Sequence, residues 1–402
     1  MNEIKYIDEE IIKNKKILLR VDFNVTLSDK LTIIDDARMR QTLPTIEYLL
    51  KNKNKLIIIS HLGRPKGREK KFSLKAVAAH LHTLLPDYKA VLVDDFQSDD
   101  GWNQIINQKE NEILMLENIR YYSGEKENSI EFAKRLSFLG QIFVNDAFGV
   151  SHRKDASIVS IPKFLPSYGG LLLKKETEIL SHLLNGAKKP FVVILGGAKV
   201  STKIGLIKKM AEIANYILLG GGMANTFIKA MGLELGKSLV ENDEVENARN
   251  IMSFAKKNGA KIIMPKDVVV GDLKSGRGGE IFDIDKIPKD SQALDIGPKT
   301  REEFIEIIEK ANTIVWNGPV GYTEDKKYRA GNNAIYNAVI KNSDACSVAG
   351  GGDTLASIAN EENLKKISHI SSGGGAMLEF IENGTLPGIE ALRQSNSSLG
   401  HK

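Results

Sequence analysis

Short apolar runs alternate with longer amphipathic stretches from one end of the chain to the other, and that alternation admits few folds. Strands written as unbroken apolar runs are covered on both faces, and strands separated by helix-length segments run parallel through crossovers. In the first half the expected strands are Ile17 to Asp22, Leu56 to Ser60, Val91 to Asp94, Ile113 to Leu116 and Ile142 to Asn145. In the second they are Phe191 to Leu195, Tyr216 to Leu219, Lys261 to Met264, Thr313 to Trp316, Ala345 to Val348 and His369 to Ile370. Helical periods include Ser129 to Leu139, Ser201 to Glu212, Asp243 to Asn258 and Thr300 to Lys310, the last opening with Thr300 and Glu303 at capping-box spacing. The fold class is therefore α/β, with two similar, mostly parallel open sheets. A chain of 402 residues suits two domains. The boundary is expected near Pro162 to Pro190, where the helix-like stretch Leu171 to Gly186 connects two lobes. The polar tail beyond Pro387-Gly388 is expected to be loosely held.

Several function classes drop out. The net charge of +5 is mild, and aromatics at 6% do not interleave with the basic groups, so no nucleic-acid partner is expected. Cys346 is the only cysteine and is expected to be inert core, and His80, His82, His182, His369 and His401 show no metal-ligand spacing. The opening residues MNEIKYIDEE carry acid where a signal peptide carries base, and no apolar run approaches the ~18 residues that span a bilayer. A cytoplasmic protein with no membrane partner is expected. There is no G-x-S-x-G elbow, G-x-G-x-x-G fingerprint or P-loop.

Ligands of open parallel sheets bind beyond the carboxyl ends of the strands. In the first half those positions carry Asp22 and Asn24 (RVDFNV), His61 and Arg64 (HLGRP), Arg120 (LENIR) and His152 and Arg153 (NDAFGVSHR), with Arg38 soon after the first strand. Guanidinium forks converging on one crevice would neutralise a small polyanion. In the second half glycine dominates: of 35 glycines, nine lie in residues 1–189 and 26 in 190–402. They cluster in ILGGAKVSTK, LLGGGMANTF, WNGPVG, AGGGDT and SSGGGA, where bare backbone N–H groups can approach phosphate or a nucleotide ring. Lys199 and Lys203 stand four apart where strand gives way to helix, placing both across one turn from a ligand. The same two lysines could instead form an exposed helix face; Asp353 could hold magnesium bridging nucleotide phosphates or cap the helix that follows it, and Glu324 could accept hydrogen bonds from ribose hydroxyls.

These residues closely resemble the phosphoglycerate kinase family. The resemblance covers essentially the whole chain and is carried in order by RVDFNV, HLGRP, LENIRY, VNDAFG, GGAKVS, GGGMANTF, WNGPVG, GGGDT, SSGGGA and LPGIEAL. It implies two Rossmann-like domains: 1–170 for 3-phosphoglycerate or 1,3-bisphosphoglycerate, a connecting hinge helix at 171–188, and 189–385 for magnesium ADP or ATP, with 386–402 returning to the N-terminal domain. It implies a monomeric glycolytic kinase that transfers a phosphoryl group reversibly between acyl phosphate and ADP by hinge closure. Asp22, Asn24, Arg38, His61, Arg64, Arg120 and Arg153 then resemble the substrate site. Gly197, Ala198, Lys199, Lys203, Gly221, Gly222, Gly297, Asn317, Pro319, Glu324 and Gly350, Gly351, Gly352, Asp353 and Thr354 resemble the nucleotide site, with Asp353 nearest the metal. Arg38 and Lys199 take the catalytic roles, stabilising the transferring phosphoryl with Mg2+.

The chain departs from the family pattern at Thr26, where proline is usual, at Thr202, where an acid is usual, and at Tyr322 and Thr323. SHRKDAS replaces the commoner AHRAHAS, adding Lys154 and Asp155. The alternative is a catalytically silent nucleotide-binding scaffold of the same fold, which loss of Arg38, Lys199 or Asp353 would favour; all three are present.

Overall fold

The computed structural model describes residues 3–356 and 364–398. The chain groups into two compact units, Met1–Glu178 with Thr385–Lys402, and Ile179–Gly384. The division falls inside the 16-residue helix Leu171–Gly186, so one helix carries the chain from the first unit into the second.

The first unit contains β1 (Lys16–Arg20), β2 (Thr26–Leu27), β3 (Ile33–Asp35), β4 (Lys55–Ile59), β5 (Lys89–Val93), β6 (Glu112–Leu116), β7 (Ile142–Asn145) and β8 (Ser167–Gly169). Six of these form a parallel sheet in the order β5-β6-β4-β1-β7-β8, and β2 pairs with β3 as a small antiparallel hairpin. β1 is central, pairing with β4 on one side and β7 on the other. Its Ile17, Leu18 and Leu19 are fully buried, as a strand covered on both faces requires. The chain leaves β1 for β4 on one side and later crosses from β6 to β7 on the other, which puts a crevice at the carboxyl end of β1.

The second unit repeats the plan. Its strands are β9 (Phe191–Leu195), β10 (Tyr216–Leu219), β11 (Lys261–Ile263), β12 (Asp267–Asp272), β13 (Arg277–Asp283), β14 (Gln292–Ile296), β15 (Thr313–Asn317), β16 (Cys346–Gly350) and β17 (His369–Ile370). The parallel sheet runs β11-β10-β9-β15-β16-β17, with β9 inside it, paired to β10 on one side and β15 on the other. A three-stranded antiparallel sheet, β13-β12-β14, was not expected from the apolar runs. β13 reads RGGEIFD and is mostly exposed, so it carries no apolar run to betray it.

Four local expectations are corrected. The capping box at Thr300 and Glu303 does not form: the helix is Pro298–Glu309, with Gly297 at its N-cap. Its first turn is capped by Asp267 of β12, which accepts from the backbone N–H of Lys299 (3.0 Å) and Thr300 (2.9 Å) and from the Thr300 hydroxyl (2.7 Å). Glu303 pairs with Lys266 instead. As far as Ser398 the tail is not loose, because Pro387–Ser398 is a helix; residues 399–402 lie outside the described residues. Leu386, Ile389 and Leu392 are buried at threefold spacing, and Gly388 N–H bonds Ser151 O (2.8 Å). The helix expected from Ser201 begins at Ile204. Cys346, expected as core, is only partly buried at the head of β16.

Candidate active site

At the carboxyl end of β1 the chain reads Arg20, Val21, Asp22, Phe23, Asn24. Arg20 is fully buried, its Nε bonding Ser157 Oγ (2.8 Å), one Nη the carbonyl of Val21, and the other standing 3.5 Å from His61 Nδ1. Asp22 accepts from Arg38 (2.9 Å) and lies 3.8 Å from His61. Asn24 accepts from Gly63 N–H (2.7 Å), tying the loop after β1 to the loop after β4. Arg120, in the turn after β6, donates to Gly63 O (2.7 Å).

His61 is held well below its ordinary pKa, first by burial and then by the positive charge of Arg20, Arg120, Arg153 and Arg38. Its ring is therefore neutral near pH 7, and with Nδ1 facing the Arg20 guanidinium, Nε2 carries the proton. Arg120 is lowered to about 10, by burial and then by Arg153 and Arg20. Asp22, Arg38, His61, Arg120 and Arg153 thus share one electrostatic cluster, whereas Arg64 is exposed.

Sequence reasoning missed three members of this cluster. Arg20 falls inside the expected strand Ile17 to Asp22, and an arginine in an otherwise apolar, doubly covered strand must find partners. Glu125 is buried and accepts from Ser157 N–H (2.9 Å) and Oγ (2.6 Å), its carboxyl pushed up by burial. Asp155 lies 3.8 Å from Arg120. Four guanidiniums therefore face three carboxylates. Arg120 Nε and Nη2 and Arg153 Nε are buried without a hydrogen-bond partner. A buried charged donor without an acceptor is costly, so these three nitrogens call for an acceptor that the protein itself does not supply.

In the second unit the loops after β9, β10 and β15 are stitched by backbone hydrogen bonds: Gly196 N–H to Asn317 O (3.0 Å), Gly197 N–H to Pro319 O (2.8 Å) and Gly221 N–H to Val320 O (2.8 Å). Much of the glycine serves this stitching. A Cβ on Gly196 would sit 2.0 Å from Pro319 O, and one on Gly318 2.4 Å from Gly196 O. Other glycines are open: Gly197 has only Lys203 Nζ near its missing Cβ, and Gly352 has nothing within 4 Å. Gly222 faces Ala198 and Leu239, an exposed apolar side chain that the motifs did not reveal.

Lys203 donates to Gly196 O (2.8 Å) and Asn317 O (3.3 Å), and burial lowers it to about 8 against the opposing pull of Asp353. Lys199 stays exposed in the loop, so the two lysines do not form the expected pair across one helical turn. Glu241 fastens that loop: it accepts from Val200 N–H, Ser201 N–H (3.1 Å) and Ser201 Oγ (2.7 Å). Burial pushes its carboxyl up, but these bonds and the charge of Lys199 hold it below the usual value.

Asn317 donates to Gly350 O (2.7 Å), and the Thr354 hydroxyl accepts from Gly318 N–H (2.7 Å), joining the β15 and β16 ends. Gly297 is removed from these loops' hydrogen bonding. Its missing Cβ would overlap the Asp267 carboxylate, so the helix cap requires glycine there. Glu324 and Asp353 are exposed, Asp353 in the first turn of Gly352–Ala356. Among the described residues no three acidic, His or Cys groups gather as a metal cage. A lone carboxylate beside an open glycine loop fits magnesium that arrives with nucleotide phosphates, since that ion keeps few protein ligands.

The family model described as phosphoglycerate kinase matches residues 7–384. The phosphoglycerate kinase of Dictyoglomus turgidum is 46% identical over 386 residues, 96% of this chain and 97% of the relative. That of Koribacter versatilis is 45% identical over 390 residues, covering 95% and 97%. Among solved structures, phosphoglycerate kinase from Coxiella burnetii superposes with a TM-score of 0.86 at 36% identity, covering 97% of this chain and 99% of that one. The Pyrococcus horikoshii enzyme gives 0.84 at 32%, covering 98% and 100%.

Proposed function

We propose residue roles for a chain that belongs to the phosphoglycerate kinase family and, as a glycolytic kinase, transfers a phosphoryl group reversibly between 1,3-bisphosphoglycerate and ADP. The observation that carries the substrate assignment is the set of unpartnered, buried guanidinium nitrogens on Arg120 and Arg153. Phosphoglycerate oxygens are the acceptors they lack, and neutral His61 adds an Nε2–H donor. Asp22 orients Arg38, whose side chain remains 39% exposed and so stays available to a ligand. Asn24 holds the shape of the floor, and Arg64 acts from the rim.

The nucleotide binds the loops after β9, β10, β15 and β16. Gly197, Ala198 and Gly222 receive the base against Leu239, Gly221 lets the loops pack closely enough to frame it, Lys203 meets a phosphate, and Glu324 takes the ribose. Pro319, Asn317, Gly350 to Gly352 and Thr354 shape the phosphate side, and Gly297 acts only through its helix cap. Asp353 would hold Mg2+, which when bound cancels phosphate charge during transfer. Phosphoryl transfer needs in-line positioning and charge cancellation, with no covalent nucleophile, and Arg38 and Lys199 supply that cancellation. Transfer between ligands carried by different units requires those ligands to meet, so closure about the Leu171–Gly186 helix belongs to the proposal and would also exclude water. The enzyme acts as a cytoplasmic monomer on small molecules, without nucleic-acid or membrane partners. The mild charge supports the absence of a nucleic-acid partner, and no helix among the described residues is long and apolar enough to cross a membrane.

Lys199→Ala should lower kcat by ~100-fold or more, as expected for one lost preorganised donor. A coupled assay with ATP, magnesium and 3-phosphoglycerate measures this, and near-normal turnover removes Lys199 from the chemistry.

A further inference from the structure

The three carboxylates of the arginine cluster are not equivalent. Asp22 is hydrogen-bonded to Arg38, and Glu125 to Ser157. Asp155 occupies the N-cap of the short helix Ala156–Val159, where an aspartate ordinarily turns its side chain onto the first-turn N–H groups. Here it makes no such bond, because Glu125 has taken Ser157 N–H. Oδ2 of Asp155 is instead buried without a hydrogen-bond partner, 3.8 Å from Nη2 of Arg120, which is buried and unpartnered in turn. The two groups attract but do not share a hydrogen bond, so Arg120, whose Nη1 is spent on Gly63 O, keeps Nε and Nη2 free for a third group.

We propose that Asp155 is an affinity-setting residue: a built-in counter-ion that steadies Arg120 in the empty site and weakens the site's hold on the ligand's anionic groups, favouring release. The proposal rests on the reading of this cluster as the phosphoglycerate site. With His61 neutral, four guanidiniums and three carboxylates leave a small positive surplus, less than the negative charge that a phosphate and a carboxylate bring together. The Asp155 charge therefore helps the free protein and opposes the complex. Asp22 and Glu125 cannot be removed for the same purpose, since each holds another part of the site in place. Asp155 is ion-paired with Arg120, and its charge also favours the charged form of Arg20.

The opposed signs make the test specific. Asp155→Asn and Asp155→Ser are compared with the unaltered chain by thermal melting and by titration calorimetry with 3-phosphoglycerate, with inorganic phosphate as a smaller probe. Loss of the charge should lower the melting temperature of the free protein yet tighten 3-phosphoglycerate roughly three- to tenfold at low salt, with the gain shrinking as salt rises. The KM for 3-phosphoglycerate should fall in step. A merely structural aspartate would lower both stability and affinity. Unchanged or weaker binding in a folded variant overturns the proposal, as does failure of both variants to fold. An unaltered chain that binds no 3-phosphoglycerate would remove the site reading itself.

Discussion

Arg20 and Asp295 show what burial does to single charges. Arg20 lies in a doubly covered strand and is kept charged by a surround that includes Glu125, Asp22 and Asp155, although burial lowers its pKa. Asp295 has only Arg301 as an opposing charge. It accepts from Gly331 N–H (2.8 Å) and Ile296 N–H (2.9 Å), but burial dominates and pushes its carboxyl from 3.8 to about 7. The folded chain then holds a proton that the unfolded chain has released, so this contribution to stability is full below about 3.8 and is lost as pH rises through about 7. Asp295→Asn should remove that loss, flattening stability against pH between these values by on the order of 2–4 kcal/mol. Denaturant unfolding at a series of pH values measures it, and an unchanged slope would show that Asp295 is ionised throughout.

At the scale of elements, the site depends on how loops are fastened. The Lys199 loop has no regular structure between β9 and the helix at Ile204, and Glu241 bonds three of its groups while its own N–H donates to Thr226 (3.1 Å). Glu241→Ala should leave the melting temperature nearly unchanged, since no buried charge is orphaned. It should lower kcat by ~10- to 100-fold through misplacement of Lys199. Steady-state kinetics beside a melting curve separates the two; a large loss of stability with intact kcat would make Glu241 a fold residue. The same scale explains the failed capping box. Thr300 and Glu303 have the right spacing, but a carboxylate on β12 reaches the helix start first, and no local pattern announces a partner 33 residues away.

For the whole molecule, each unit carries its own sheet and its own apolar core. Hydrogen exchange should therefore report ligands unit by unit. 3-Phosphoglycerate should slow exchange at the strand ends of the first unit, and magnesium nucleotide at the glycine loops of the second, each by about tenfold or more at saturating ligand. Protection by 3-phosphoglycerate confined to the glycine loops would reverse the assignment of ligands. The helix Pro387–Ser398 belongs to the first unit although the second lies between them in the chain.

The alternation of apolar runs was sufficient for the α/β class and for the eleven runs read as strands of the two parallel sheets, because a strand covered on both faces has to be written in continuous apolar residues. The strand-end motifs likewise marked Asp22, His61, Arg120 and Lys203, since chemistry at such ends needs residue types that packing would not choose. Tertiary structure alone decided the charge balance. Glu125 and Asp155 look like surface acids in a polar stretch, and only folding brings them against Arg20 and Arg120 and shows the arginine cluster to be nearly self-neutralised. It also divided the glycines into those that let loops touch, such as Gly196, and those left open, such as Gly352. Both distinctions depend on contacts between residues distant in sequence, which periodicity and spacing do not encode.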